Sequence, residues 1–228
     1  REAGAVDPRA ARRQWLALAR SIEARGGTVV VAQSPYPELT GMPYAAECGQ
    51  IEGDAERGWS FILPLMWAPH RRKEREVWEA LARDMNLAVK APEGGLWEAQ
   101  GDVARFQGVT LLFFGGRTTR AGLDAVRDHF HGEVVLIETR EPAFHGNMAV
   151  LPLDAVDTLV VCPEVLVGDS LVRLASRFGR DALLEVSESQ IREYVTNGLP
   201  MGRDLLAPTV TSTEALAPLA ARGVEVVR

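Results

Sequence analysis

Residues 102–138 place two short strands, a helix and a third strand in a fixed order. Residues 102–106 and 109–114 are strand-like, and Gln107-Gly108 between them is typical of a two-residue hairpin turn. Residues 119–130 have helical periodicity, and residues 134–138 are rich in β-branched side chains. Because a tight hairpin makes its strands antiparallel neighbours, the chain cannot be a simple alternation of strand and helix. The segment predicts a β-β-α-β unit.

Strand pairs separated by single helices recur along the rest of the chain. The helices are predicted at residues 7–25, 71–85, 119–130, 169–178, from 188, and at 213–222. The strands are predicted at residues 28–33, 48–52, 59–65, 87–90, 102–106, 109–114, 134–138, 148–153, 158–162, 182–186, near 196, at 203–207 and at 224. The predicted fold class is therefore α/β, built from ββαβ units.

Composition excludes several classes of function. The 228 residues are 46% hydrophobic and 25% charged, which is enough to bury a full core in one domain or two. A net charge of −6 without long Lys/Arg runs argues against nucleic acid as a partner. There is no apolar stretch of about 18 residues and no visible signal peptide, so we expect no membrane association and a cytoplasmic location. Cys48 and Cys162 form neither a disulfide framework nor metal-ligand spacing, and we expect no metal or cofactor.

Two segments carry residue types suited to chemistry on a guanidinium group. Residues 97–102 (WEAQGD) place Glu98 in a turn, and residues 144–147 (FHGN) place His145 near a strand start. A carboxylate can hold a planar guanidinium by paired hydrogen bonds, and a histidine transfers protons near neutral pH. Residues 115–117 (GGR) precede a helix but lack the third glycine of a dinucleotide-binding loop, which disfavours a nucleotide site.

These segments belong to a series of motifs that resembles the guanidino-group-modifying (pentein) superfamily. This superfamily includes arginine deiminases, amidinotransferases and dimethylarginine dimethylaminohydrolases. The motifs keep the family's order over almost the whole chain, from residue 7 to residue 228. They are residues 44–47 (YAAE), 71–74 (RRKE), 98–102 (EAQGD), 116–122 (GRTTRAG), 144–147 (FHGN) and 196–198 (TNG).

The resemblance implies a pentein-type pseudo-fivefold α/β propeller of ββαβ units around a polar channel. It also implies a cysteine nucleophile that forms a covalent thiouronium intermediate. In that scheme Glu98 clamps the substrate guanidinium with help from Glu47, and His145 protonates the leaving amine and then activates water or an amine. Arg117, with Arg71 or Arg72, would hold a substrate carboxylate. Asn147 and Asp102 complete the expected substrate-binding set.

The chain departs from the family pattern at two places. Asn147 stands where the family has an aspartate, and an amide holds a cation less well than a carboxylate. The family cysteine follows a strand like residues 223–227, so we expect it beyond Arg228, and the 228 residues to be a single pentein-like domain lacking a first strand and a C-terminal segment. Cys162 is expected in the core. Cys48 is a poor nucleophile because the adjacent Glu47 disfavours its thiolate.

The sequence leaves two functions open. One is an enzyme acting on a guanidine such as arginine or methylarginine, by hydrolysis to a citrulline-type product or by amidino transfer. Residues 117–118 resemble the dimethylarginine hydrolases, whereas residues 7–8 and 71–74 resemble the amidinotransferase group. The other is a pentein-fold protein that has lost catalysis and binds a guanidine or a protein partner. The oligomeric state is open, with a homodimer among the alternatives.

Overall fold

The computed structural model describes residues 6–34 and 36–228, and the chain divides into two compact units, residues 1–31 and 32–228. The described part of the first unit contains helix α1 (Pro8–Glu23). Its N-terminus is capped by Asp7, whose carboxylate accepts hydrogen bonds from the N–H groups of Arg9 (2.8 Å) and Ala10 (3.3 Å). The predicted first helix is therefore confirmed, while the single domain over 1–228 stays a prediction.

The second unit contains four three-stranded sheets among its described residues, each formed by two strands, a helix and a third strand. The first two of these β-β-α-β units are built from β1 (Gln50–Asp54), β2 (Gly58–Ile62), α2 (Glu74–Asp84), β3 (Ala88–Lys90), β4 (Val103–Phe106), β5 (Val109–Phe114), α3 (Arg120–Val126) and β6 (Val134–Glu138). Helix α4 (Gly146–Ala149) precedes the third unit, which consists of β7 (Val150–Leu153), β8 (Thr158–Val161), α5 (Ser170–Phe178) and β9 (Leu183–Glu185). Helix α6 (Glu188–Arg192) precedes the fourth unit, which consists of β10 (Leu199–Met201), β11 (Asp204–Leu206), α7 (Thr213–Ala221) and β12 (Glu225–Val227).

All four sheets have the same pairing. The first two strands form an antiparallel hairpin, and the third strand lies parallel to the second. Gln107 and Gly108, at the predicted hairpin turn, both have positive φ (48° and 77°), as a type I′ turn requires. The mixed α/β class and its ββαβ units are confirmed.

Strand β5 lies between two parts of the core. Leu111 and Phe113 point into the largest hydrophobic cluster, which also contains strands β7 and β8. Leu112 points the opposite way, into a second cluster with Trp97 and Leu123. Alternate side chains of a strand face opposite sides, so a strand buried on both faces reads as a continuous apolar run. Burial of Trp97 in the second cluster fixes the turn that follows it.

Two predicted strands are wrong. Residues 28–33 form no strand, and Val30 and Val31 are exposed. A β-branched run becomes a strand only when a neighbour pairs with it, and none of the described residues does so. Thr196 lies in a turn in which its hydroxyl donates to the carbonyl of Met148 at 2.6 Å, and the next strand begins at Leu199. None of the helices in the described ranges is long and apolar enough to cross a membrane.

Candidate active site

Glu98 is fully buried at the start of a short 3₁₀ turn, Ala99–Asp102. Its Oε1 accepts a hydrogen bond from the backbone N–H of Trp67 at 2.9 Å. Its own N–H donates to the hydroxyl of Thr118 at 3.0 Å. Both the backbone and the carboxylate of Glu98 are therefore held in place by segments far away in the sequence.

His145 lies between two carboxylates. Its Nε2 is 2.7 Å from Oε2 of Glu98, and its Nδ1 is 3.4 Å from Oε1 of Glu47. Only 2% of the histidine is exposed. Gly101 makes room for the ring, because a Cβ at this position would lie 3.2 Å from Nδ1. The structure therefore brings together the three residues that the sequence proposed for the guanidinium end of a substrate.

Glu47 is held from its other side by Arg71. Nη1 of Arg71 is 2.8 Å from Oε2 of Glu47, while Nε and Nη2 bind Glu74 (Nη2 to Oε2, 2.8 Å). Nη2 also donates to the carbonyl of Gly41 at 3.1 Å. Burial alone would lower the pKa of Arg71, but its bonds to Glu74 and Glu47 raise it. Arg71 is thus a buried cation engaged by protein groups, and its suggested part in holding a substrate carboxylate stays a prediction.

Arg117 is the cation at the partly open side of the cluster, with 35% of its side chain exposed. Its Nη1 lies 3.6 Å from Oε2 of Glu98. The guanidinium is 4.6 Å from the ring centre of Phe144 and 5.7 Å from that of Trp67, within cation–π distance of both. Arg117 is therefore placed where it could meet the anionic end of a zwitterion.

Asp102 contacts the segments on either side of the Glu98–His145 pair through both of its carboxylate oxygens. Its Oδ2 accepts from the Thr118 hydroxyl at 2.6 Å, and its Oδ1 accepts from the N–H of Gly146 at 2.8 Å. Burial raises its pKa to about 6, against the opposing effects of His145 and these hydrogen bonds. Through these two hydrogen bonds Asp102 links the loops of Glu98 and His145, and the substrate-binding role implied for it by the family resemblance stays a prediction.

Asn147 follows His145 by two residues, in the single turn of α4. Its Oδ1 is buried and has no hydrogen-bond partner. The amide therefore does not join the Glu98–His145 pair through this oxygen. The substrate-binding role suggested by its motif stays a prediction.

The cluster has an excess of negative charge. Three buried carboxylates (Glu47, Glu74 and Glu98) pair with two guanidinium groups, and a fourth, that of Asp102, is linked to Glu98 through the Thr118 hydroxyl. Burial would raise the pKa of Glu98, but hydrogen bonds from His145 and from the Trp67 N–H outweigh it and lower this pKa. A buried carboxylate that stays ionised favours a cationic ligand.

Sequence reasoning gave no role to Trp67, Thr118 or Glu74. Trp67 contacts Glu98 through its backbone N–H, so the identity of its side chain gives no indication of the contact. Thr118 bridges Glu98 and Asp102 through one hydroxyl, and its place in the Arg-Thr helix entry was the available signal. Glu74 was part of a motif, and its position three residues after Arg71 was the available signal for their pairing.

Neither cysteine is suited to be a nucleophile. Burial, and secondarily the charge of Glu47, raise the pKa of the partly buried Cys48 to about 11. Cys162 is fully buried, as predicted, and its thiol donates to Glu164 at 3.3 Å. Burial and this contact raise the pKa of Cys162 to about 12. Within residues 6–34 and 36–228, no group of three or more His, Cys, Asp or Glu side chains is arranged to hold a metal ion.

No protein-family model and no curated protein sequence matches this chain. Solved structures do match it. The product-bound N-terminal domain of ArgZ, an arginine dihydrolase from the ornithine–ammonia cycle in cyanobacteria, has a TM-score of 0.84 at 19% identity, over 95% of this chain and 77% of that one. Unliganded AgrE has a TM-score of 0.86 at 17% identity, over 97% and 32%. A dimethylarginine dimethylaminohydrolase adduct with S-methyl-L-thiocitrulline has a TM-score of 0.69 at 17% identity, over 97% and 82%.

The chain has the fold of guanidino-group-modifying (pentein) enzymes. The resemblance that its motifs predicted is thus confirmed at the level of the fold. At identities of 17–19%, the similarity establishes the shared fold alone. The chain corresponds to about a third of AgrE, 32% of its length.

Proposed function

We propose that this protein acts on the guanidino group of an arginine-like small molecule through a thiouronium intermediate. The observation that carries the proposal is the position of His145 between Glu98, at 2.7 Å, and Glu47, at 3.4 Å. A proton-transferring group thereby lies beside two carboxylates able to bind a planar cation. The similarity in fold to an arginine dihydrolase and a dimethylarginine dimethylaminohydrolase supports the same chemistry.

Binding would follow from the charges of the site. The substrate guanidinium would pair with Glu98 and Glu47, where the excess of carboxylates favours a cation. Arg117 would pair with the substrate carboxylate at the more exposed side. Asp102 would keep the Glu98 and His145 loops together, through Thr118 and Gly146.

The reaction would proceed in two stages. A thiolate attacks the guanidinium carbon, and the C–N bond to the leaving amine breaks as His145 gives that amine a proton. His145 then takes one proton from water and the oxygen attacks the thiouronium carbon. The C–S bond breaks as the remaining hydroxyl proton is lost to solvent, which releases a neutral ureido product and the thiolate. With an amine in place of water, the product is a new guanidine.

The thiolate itself stays a prediction. Cys48 and Cys162 have raised pKa values of about 11 and about 12, so neither supplies it readily near neutral pH. We expect the nucleophile to be a cysteine outside these 228 residues. The pseudo-fivefold propeller, the single pentein-like domain, the cytoplasmic location and any homodimer are likewise predictions.

The test is turnover by the full-length protein that carries these residues. Arginine and methylarginine are supplied with water alone or with a primary amine, and ureido products and new guanidines are quantified before and after treatment with iodoacetamide. The proposal expects one of these products and its loss on alkylation. Turnover that is unaffected by alkylation would contradict the thiouronium route.

A second candidate is a protein with this fold that binds a guanidine without converting it. It is favoured by the raised thiol pKa values and by Asn147, whose Oδ1 takes no part in the cluster. Binding of guanidines without any product, and without an effect of alkylation on binding, would favour this candidate.

A further inference from the structure

The exposed cation and the central carboxylate of the candidate site are neighbours. Nη1 of Arg117 is 3.6 Å from Oε2 of Glu98. If Glu98 binds the guanidinium of a substrate and Arg117 binds its carboxylate, the two binding points are neighbours rather than opposite ends of a groove. The spacing between them then sets the length of ligand that satisfies both.

Two aromatic rings, those of Phe144 and Trp67, lie beside the guanidinium of Arg117. Its guanidinium lies 4.6 Å from the ring centre of Phe144, and its backbone N–H donates to the Phe144 carbonyl at 3.1 Å. The preceding Gly116 allows this approach, since a Cβ there would come within 2.3 Å of the same carbonyl oxygen. Movement of Arg117 away from Glu98 would therefore sacrifice stacking as well as the ion pair.

Trp67 acts on both charged groups. Its backbone N–H fixes Oε1 of Glu98 at 2.9 Å, while its indole ring lies 5.7 Å from the guanidinium of Arg117. Trp67 is 54% exposed, so this ring lies at the surface beside the partly exposed Arg117. One residue thus links the position of the carboxylate to that of the cation.

Ligand lengths can be compared with this spacing. From standard bond lengths, the guanidino carbon and the carboxylate carbon are about 4 Å apart when one carbon joins the two groups, and about 7 Å apart in extended arginine. Adjacent ion pairs to Glu98 and Arg117 suit the shorter separation. An arginine-length ligand would have to fold back on itself, at a cost in conformational entropy, or displace Arg117 from its rings.

Building on the proposed function, we propose that Trp67 and Phe144 hold Arg117 beside Glu98 and so make the site selective for compact guanidino acids. These ligands have one or two carbons between the guanidino nitrogen and the carboxylate. Trp67 is then a specificity-determining residue, because the indole sets the distance between the two charged ends that the site can accept.

The test uses a series of ligands that differ only in length: guanidinoacetate, 3-guanidinopropionate, 4-guanidinobutyrate and 5-guanidinopentanoate. Their dissociation constants are measured by calorimetry for the wild type, for Trp67→Ala and for Trp59→Ala. Trp59 is a matched control, since it is 52% exposed and lies on β2. All three proteins are first compared by circular dichroism and thermal unfolding.

We expect the wild type to bind the two shorter acids at least about tenfold more tightly than 5-guanidinopentanoate, which has the length of arginine. In Trp67→Ala this ratio should fall to about threefold or less, while Trp59→Ala should keep the wild-type ratio. A uniform loss of affinity for all lengths in Trp67→Ala would indicate a structural role and overturn the proposal, as would a wild-type preference for the longest acid.

The same ligand series tests the proposed function separately from the length selection. If the wild type binds none of the four acids, the guanidine site itself is wrong. If it binds all of them equally, the guanidine site stands and the length selection is wrong.

Discussion

Nε2 of His145 lies 2.7 Å from Oε2 of Glu98, although the two residues are 47 positions apart in the sequence. The contact is buried, with 2% of the histidine side chain and none of the glutamate side chain exposed. The contact holds the imidazole in one orientation relative to the carboxylate. The contact defines the centre of the candidate site.

Replacement of this histidine should remove catalysis without removing the fold. In His145→Ala, turnover of a guanidine should fall by roughly 10²–10⁴-fold, because general acid–base catalysis is lost. Steady-state assays of the ureido product, or of the new guanidine, measure the effect, with circular dichroism to check folding. Turnover within about threefold of the wild type would exclude His145 from the mechanism.

Asp102 should make the protein less stable as the pH rises through mildly acidic values. Burial raises its pKa from 3.8 to about 6, so between these values the folded protein keeps a proton that the unfolded chain has lost. The stabilisation is complete below about pH 4 and is lost as the pH rises through about 6, at a cost of roughly 3 kcal/mol.

The Asp102→Asn variant isolates this effect. Its amide oxygen can still accept from the Gly146 N–H, but it does not titrate. Urea unfolding at several pH values should show the wild type losing stability relative to the variant between about pH 4 and pH 6. Parallel pH profiles of the two proteins would show that Asp102 does not titrate in this way.

Arg71 should be essential to stability. In Arg71→Met, the carboxylates of Glu47 and Glu74 lose the cation that contacts each at 2.8 Å. Removal of one partner from a buried ion pair costs about 3–5 kcal/mol. Urea unfolding measures the loss, and adding Glu74→Gln to this variant should recover part of it. An unfolding free energy within about 1 kcal/mol of the wild type would contradict the structural role.

Cys48 should be dispensable for chemistry. With a pKa raised to about 11, its thiol stays protonated at neutral pH. Cys48→Ser should therefore keep turnover within about twofold, and sensitivity to iodoacetamide should be unchanged, because the reactive thiolate lies elsewhere. Peptide mapping after alkylation identifies the modified thiol. Loss of turnover in Cys48→Ser, with the fold intact, would instead make Cys48 the nucleophile.

The sequence predicted correctly the secondary structure that depends mainly on neighbouring residues. The hairpin at Gln107 and Gly108 formed as expected because its turn needs residues that tolerate positive φ. The run at residues 28–33 has the composition of a strand, but pairing is a tertiary property and no described strand pairs with it. The strand expected near Thr196 was misplaced because a hydrogen bond to distant Met148 fixes a turn there.

The site was predictable where its side chains form motifs. Glu98, His145 and Glu47 were singled out from the sequence, and the structure brings them together. The burial of Arg71 was not predictable, since it depends on Gly41 and Glu47, which lie 30 and 24 positions earlier in the sequence. The part played by Trp67 was also hidden, because a backbone N–H has no sequence signature.

The central claim is that the Glu98 carboxylate binds a guanidinium. Calorimetry on the wild type and on Glu98→Gln, with a guanidino acid and the ureido acid of the same length (guanidinoacetate and ureidoacetate, for example), tests it most directly. Glu133→Gln is the control, since Glu133 is exposed and pairs with Arg177. We predict that Glu98→Gln weakens binding of the guanidino acid by about tenfold or more and leaves the ureido acid unaffected. Unchanged affinity for the guanidino acid, in a folded variant, would contradict the account.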